Sequence, residues 1–372
     1  MAKTITINPV TRISGFMQIQ VQIEGHIVVD AKCSGLLFRG FEKMLRGREP
    51  LDAIYFTERI CGICSAAHSM ASTLALEDAL LLKPDSNGRY IRDFMHGCEF
   101  LQNHIRHFYQ YTIPDFVKGY SISPLYDVSH NDFRLHSKLD KLLSQHYTES
   151  LKYSRLAHEM LAILGGKAPH NHGIFVGGVT VNLDSEQFIK VKSILTSIIE
   201  FIENKMIPDA YIIGKYYPEY YSMGVGWGNL MSYGVFDYPE KNIRYISPSI
   251  YIDGILSIPD LNLITEGIYK SWYRAEDIER IVPGSPTEED ISKEGAYTWV
   301  KSPRYNGLPM EVGPLARMYM SGNYTRGIST MDRTIARVLE TREISYIMMN
   351  LLERIELNKA VQEAYEIPDV SK

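Results

Sequence analysis

The chain has 372 residues, 45% of them hydrophobic, which is enough for one large or two fused globular units with an ample core. Thirty-nine lysines and arginines stand against 44 acidic residues, and the net charge of −5 argues against a nucleic-acid surface. Four irregularly spaced cysteines exclude a disulfide framework, and no apolar run approaches the roughly 18 residues of a membrane span.

The N-terminus, Met1–Ile7, alternates polar and apolar residues and lacks the apolar core of a signal peptide. The chain therefore reads as soluble, or as exported with a partner, and its compartment stays unknown. Residues 4–34 read as strands: Met17, Ile19, Val21 and Ile23 share one face, and Glu24-Gly25 suits a tight turn. From about Pro50 the period becomes helical. Residues 65–83 are apolar around most of their circumference, which predicts a central buried helix, and Pro84–Gly88 with its Asn87-Gly88 turn pair should break it. Further helices are expected over 89–111, over 133–165 with Gly165-Gly166 as the stop, over 185–206, and over 328–363. In the last, Ile335, Val338, Leu339 and Ile344 line one side. A short strand is expected over 175–183, and residues 207–310 look irregular, with strands near 243–257. The fold class is mainly α with peripheral β (α+β): one multi-helical body over 1–372 with an N-terminal β-hairpin region.

Two of the four cysteines fall in Arg59-Ile60-Cys61-Gly62-Ile63-Cys64-Ser65-Ala66-Ala67-His68. If residues 61–64 form the first turn of a helix, both sulfurs project to one side and can grip one metal. Arg59 beside them would favour the thiolate. Spacing leaves three alternatives open: metal ligation, a redox pair or half a zinc site, and plain buried cysteines. Cys33 and Cys98 stand alone and do not complete a four-cysteine set. Glu42, between Arg39 and Lys43, is either a surface ion pair or a hard oxygen ligand. Residues 167–173 (KAPHNHG) and 177–180 put a cation, two imidazoles and close-approach glycines into one loop, suited to the wall of a buried site. His96, His104 and His107 read as packing histidines. Trp299–Arg317 has arginines set among Pro, Gly and aromatics, which suits holding an anion or a partner.

These segments together resemble the large subunit of a nickel–iron hydrogenase. The resemblance is carried by Pro9–Gly15 (PVTRISG), Arg39–Glu42, the Arg59–His68 signature, Gly165–Thr180, Ser302–Arg317 and Asp332–Arg337, in the family's order along nearly the whole chain. It implies heterolytic oxidation of H2 or reduction of protons at a buried nickel–iron centre, with carbon monoxide and cyanide on the iron. By the same resemblance Cys61 is a nickel ligand, Cys64 bridges nickel and iron, Glu42 holds magnesium, and His68 and Arg59 orient the thiolates. Four cysteines are too few for an electron relay within the chain, so an iron–sulfur small subunit is the implied partner; a membrane cytochrome enters only indirectly.

Two departures from the family pattern stand out. Ser14 lies where many members carry a proton-relaying glutamate. The family's second metal-binding pair, Asp-Pro-Cys-x-x-Cys-x-x-His, is not in the sequence, which closes on Ile367–Lys372. The expectation is therefore an incomplete large subunit. The alternatives are an enzyme completed by a separate C-terminal polypeptide and a non-catalytic scaffold.

Overall fold

The computed structural model describes residues 3–119, 131–276 and 280–366; the closing residues 367–372 lie outside that set. Along the chain come strands β1 (Lys3–Ile7), β2 (Met17–Glu24) and β3 (Ile27–Gly35), then helices α1 (Phe41–Met44), α2 (Asp52–Glu58), α3 (Ser65–Ala79), α4 (Ser86–Arg106) and α5 (Ser137–Gly165). A two-rung hairpin of β4 (Ile174–Phe175) and β5 (Gly178–Val179) precedes α6 (Ser185–Phe201) and α7 (Ile207–Tyr216). Short strands follow, and the described chain ends with α8 (Pro314–Met320) and α9 (Thr330–Arg354). The architecture is α+β, as the sequence pattern indicates.

Contacts divide the chain into two compact units. The first takes Met1–Gly40, Gly226–Tyr233 and Pro248–Met320. Its leading sheet is antiparallel in the order β1-β2-β3, with Ile5 opposite Val21 and Ile7 opposite Ile19, so alternation puts the apolar side chains on one face. Gly25 turns the β2–β3 hairpin at φ 62°, a conformation that favours glycine. A second small core gathers Ile268, Tyr273 and Ile281 with Trp299, on which the Phe38 ring stacks at 4.5 Å.

The second unit takes Phe41–Val225, Gly234–Ser247 and Ser321–Lys372. Its centre is α4, which buries Ile91, Phe94, Met95, Leu101 and Ile105 against α5 and α9. The α9 stripe of Ile335, Val338, Leu339 and Ile344 is buried as its spacing predicts. Its start is fixed by a capping box between Ser329 and Asp332, and α6 starts the same way on Asp184 and Gln187. Gly166 closes α5 in the left-handed conformation at φ 78°.

Four readings are corrected. Asn87-Gly88 is not a turn but part of the first turn of α4, because Asp85 caps the helix by accepting the Asn87 and Gly88 amides. The helix predicted over 185–206 ends as α6 at Phe201, and a π-helical turn over Ile202–Met206 leads into α7, whose first turn takes Pro208, where a missing N–H is tolerated. The predicted strand over 175–183 is the tight β4–β5 hairpin. Finally, α3 buries one face rather than its whole circumference. The buried face combines Ser65, Ser69, Thr73 and Glu77 with Ala66 and Met70, while Leu74 faces outward at 43% exposure. Small hydroxyl residues let α3 lie close to its neighbours, a choice that apolar periodicity does not reveal.

Candidate metal centre

Cys61 and Cys64 lie in the bend between α2 and α3 rather than in a helical turn, with Cys64 at the N-cap of α3. The two thiols are hydrogen-bonded to each other, and the Ile63 amide donates to Cys61 Sγ at 3.4 Å. Both cysteines are half-buried. The helical first turn expected at 61–64 is thus replaced by a loop that ends on the N-cap of α3.

Three parts of the second unit brace this bend. From α2, the fully buried Glu58 accepts from Asn171 Nδ2 at 3.0 Å and from Arg59 Nη1 at 3.1 Å. From the 165–173 loop, the His170 amide donates to Ser65 Oγ at 2.9 Å. His170 itself has a positive φ of 61°, a strained conformation for a non-glycine residue. Its imidazole flanks the bend: a Cβ on Gly62 would lie 3.9 Å from His170 Nε2. From α4, Glu99 accepts the Ala66 and Ala67 amides at 2.7 and 2.8 Å, and Asn103 Nδ2 donates to the Ile63 carbonyl at 3.1 Å.

Burial sets the electrostatics. It pushes Glu58 up to about 7 against the opposing pull of Ser69, Arg59 and Lys167. Glu99 is likewise raised to about 7, by burial first and by the Glu58 charge, while the two amides it accepts act the other way. Burial, then the hydrogen bond that the Cys64 thiol donates to Cys61, pushes the Cys64 thiol up to about 12. The Arg59 guanidinium bonds Glu58, and the Cys64 thiol in the metal-free chain is held protonated. His68 follows Cys64 in α3, half-buried, and burial lowers its pKa, so its imidazole is neutral at pH 7.

The remaining expected residues are placed as follows. Glu42 is exposed in α1, and among the described residues no three His, Cys, Asp or Glu side chains group to hold a metal. Ser14, in the first unit, lines an open groove of about 530 Å³ with Cys33, Leu37 and residues 300–304. Arg304 donates to the Pro303 carbonyl at 2.7 Å. His104 is a packing histidine: its Nε2 meets Glu340 at 2.6 Å in the buried interior.

Sequence reasoning missed Glu58, Glu99, Asn103 and Asn171. Only Asn171 carried a signal, by standing between two histidines in the flagged loop. The other three look like ordinary polar helix residues.

The second unit is a helix-rich body that holds a half-buried Cys-x-x-Cys in a bend braced by α2, α4 and the 165–173 loop. The chain belongs to the nickel-dependent hydrogenase family, whose description matches residues 39–125 and 122–346. It is 36% identical over 333 residues to the periplasmic [NiFeSe] hydrogenase large subunit of Desulfomicrobium baculatum, an alignment spanning 85% of this chain and 64% of that one. It is 32% identical over 383 residues to the hydrogenase-2 large chain of Escherichia coli K12, spanning 86% and 68%. Among solved structures, the Ni-Fe-Se hydrogenase of D. vulgaris Hildenborough superposes with a TM-score of 0.93 at 34% identity, covering 99% of this chain and 82% of that one. The chain thus spans less than two thirds of the D. baculatum relative. No described helix is long and apolar enough to cross a membrane.

Proposed function

We propose that this chain is the large subunit of a nickel–iron hydrogenase and that Cys61 and Cys64 are its metal ligands. The observation that carries this reading is the placing of both half-buried cysteines in one bend braced from three sides. Soft thiolates suit nickel and iron, and a pair held together before metal arrives needs little reorganisation to close on it. When bound, the nickel–iron centre supplies the heterolytic cleavage or formation of H2.

The chain's own residues do the rest. Cys61 and Cys64 give up their protons on ligation, so metal uptake rises with pH. Glu58 and Asn171 hold the bend on the α2 side, and the neutral His68 stands beside it as a polarising group. The described residues supply two donors, and further donors come from polypeptide outside them. Glu42 as a magnesium ligand, and carbon monoxide and cyanide on the iron, rest on the family resemblance. Electrons leave through an iron–sulfur small subunit, because four cysteines, two of them committed to the centre, leave no relay in this chain.

The test is nickel and iron per large subunit in the assembled complex, together with H2/D2 exchange and the infrared bands of iron-bound diatomic ligands. Cys61→Ser and Cys64→Ser should each abolish exchange and lower nickel at least about tenfold. Unchanged nickel content in both variants would rule the assignment out.

A further inference from the structure

A helix needs acceptors for its first amide groups, and serine, threonine, aspartate or asparagine usually supplies them from the N-cap. The chain follows this rule at Asp85, Asp184 and Ser329. It departs from the rule at α2 and α5, and also at α3, where the N-cap residue is Cys64 and makes no side-chain cap bond. The next candidate, Ser65, is engaged elsewhere, since its hydroxyl accepts the His170 amide at 2.9 Å.

The missing acceptor comes from another helix. Glu99, 33 residues beyond Ala66 in sequence and 4% exposed, receives the Ala66 and Ala67 amides on its two oxygens at 2.7 and 2.8 Å. One turn further along α4, Asn103 Nδ2 holds the Ile63 carbonyl at 3.1 Å and the Glu99 carbonyl at 3.0 Å. One face of α4 therefore grips the backbone one residue before Cys64 and two and three residues after it.

We propose that Glu99 is a positioning residue that caps α3 in place of Cys64, leaving the Cys64 sulfur free to ligate and fixing its direction. Asn103 completes the clamp on the other side of the same residue. The proposal rests on the metal-ligand reading of Cys64, but its geometry can be tested without any metal.

The chain carries its own controls. Cys33 is exposed and reports the intrinsic labelling rate; Cys98 is fully buried in α4 and reports opening of the whole unit. Labelling of the full chain with a maleimide, resolved residue by residue by mass spectrometry, compares parent, Glu99→Ala, Glu99→Gln and Asn103→Ala. Loss of a clamp contact should open the bend locally and raise Cys64 labelling about tenfold in Glu99→Ala and also in Asn103→Ala, which removes no charge, while Cys98 stays protected. A rise confined to the Glu99 variants would be the loss of the Glu99 charge beside the thiol and would overturn the clamp. Glu99→Gln should fall between parent and Glu99→Ala, because the amide oxygen can accept only one of the two N–H groups while its nitrogen faces the other. It also serves if the alanine variant does not fold. Equilibrium dialysis against Ni(II) alone should show affinity about 10- to 100-fold weaker in Glu99→Ala.

Cys64 labelling at the parental rate in both Glu99 variants overturns the proposal. So does a joint rise of Cys64 and Cys98, which would make Glu99 a general stabiliser of the fold. If the labelling contrast holds while the parent chain takes up no Ni(II), the positioning role stands and the ligand reading fails.

Discussion

Glu77 anchors the far end of the helix that begins at Cys64, and its removal tests how that helix is held. Its Oε1 accepts Arg92 Nη1 at 2.6 Å and the Gly177 amide at 2.9 Å, joining α3, α4 and the β4–β5 hairpin. The two side chains are 6% and 2% exposed, so neither charge has solvent to fall back on. Glu77→Gln keeps an acceptor for Gly177 but leaves the guanidinium unpaired in the interior, which costs about 3–5 kcal/mol. The lower end applies, because the neighbouring Asp93 carboxyl already feels the Arg92 charge and can take part of it up. A loss of about 3 kcal/mol corresponds to a melting midpoint lowered by about 4 °C in a chain of this size. Adding Arg92→Met removes the orphaned charge, so the double variant should return to within about 1.5 kcal/mol of the parent. Thermal and urea unfolding of the metal-free chain measure both. A single variant within about 1 kcal/mol of the parent, or a double variant worse than the single, would refute the reasoning.

His107 is held at about 3 by burial, then by the Arg337 and His104 charges. The fold therefore refuses a proton that the unfolded chain accepts below pH 6.5, so its stabilising effect is complete above that pH and is lost as pH falls towards 3. His107→Gln should flatten the acid limb of urea midpoints between pH 7 and 5, by up to about 1.4 kcal/mol per pH unit; an unchanged slope refutes it. The parent-minus-variant difference isolates this effect from Glu58 and Glu99, whose raised pKa values act the other way, weakening the fold as pH rises from 4.5 to about 7. Gly178 sits at φ 145°, and a Cβ there would overlap the Val361 carbonyl oxygen. Gly178→Ala should release residues 356–366 from the hairpin and speed their proteolysis about tenfold, a cost of order 1–3 kcal/mol; a parental cleavage rate counts against this.

The sequence by itself determined the elements whose causes are local. Alternation made the β2–β3 hairpin, left-handed Gly166 ended α5, the Ser329–Asp332 box started α9, and Arg59–His68 marked the site. Tertiary structure decided what depends on partners distant in the chain. Asn87 reads locally as a turn residue, yet its amide donates to the Glu356 carbonyl, 269 residues away, from inside a helix. The buried face of α3 carries Glu77 and Ser69 because Arg92 and Asn171 meet them there, and no periodicity in α3 encodes those partners. Glu99 shows the limit most clearly. A buried carboxylate is costly unless amide donors await it, and which donors await it is known only once two helices have packed.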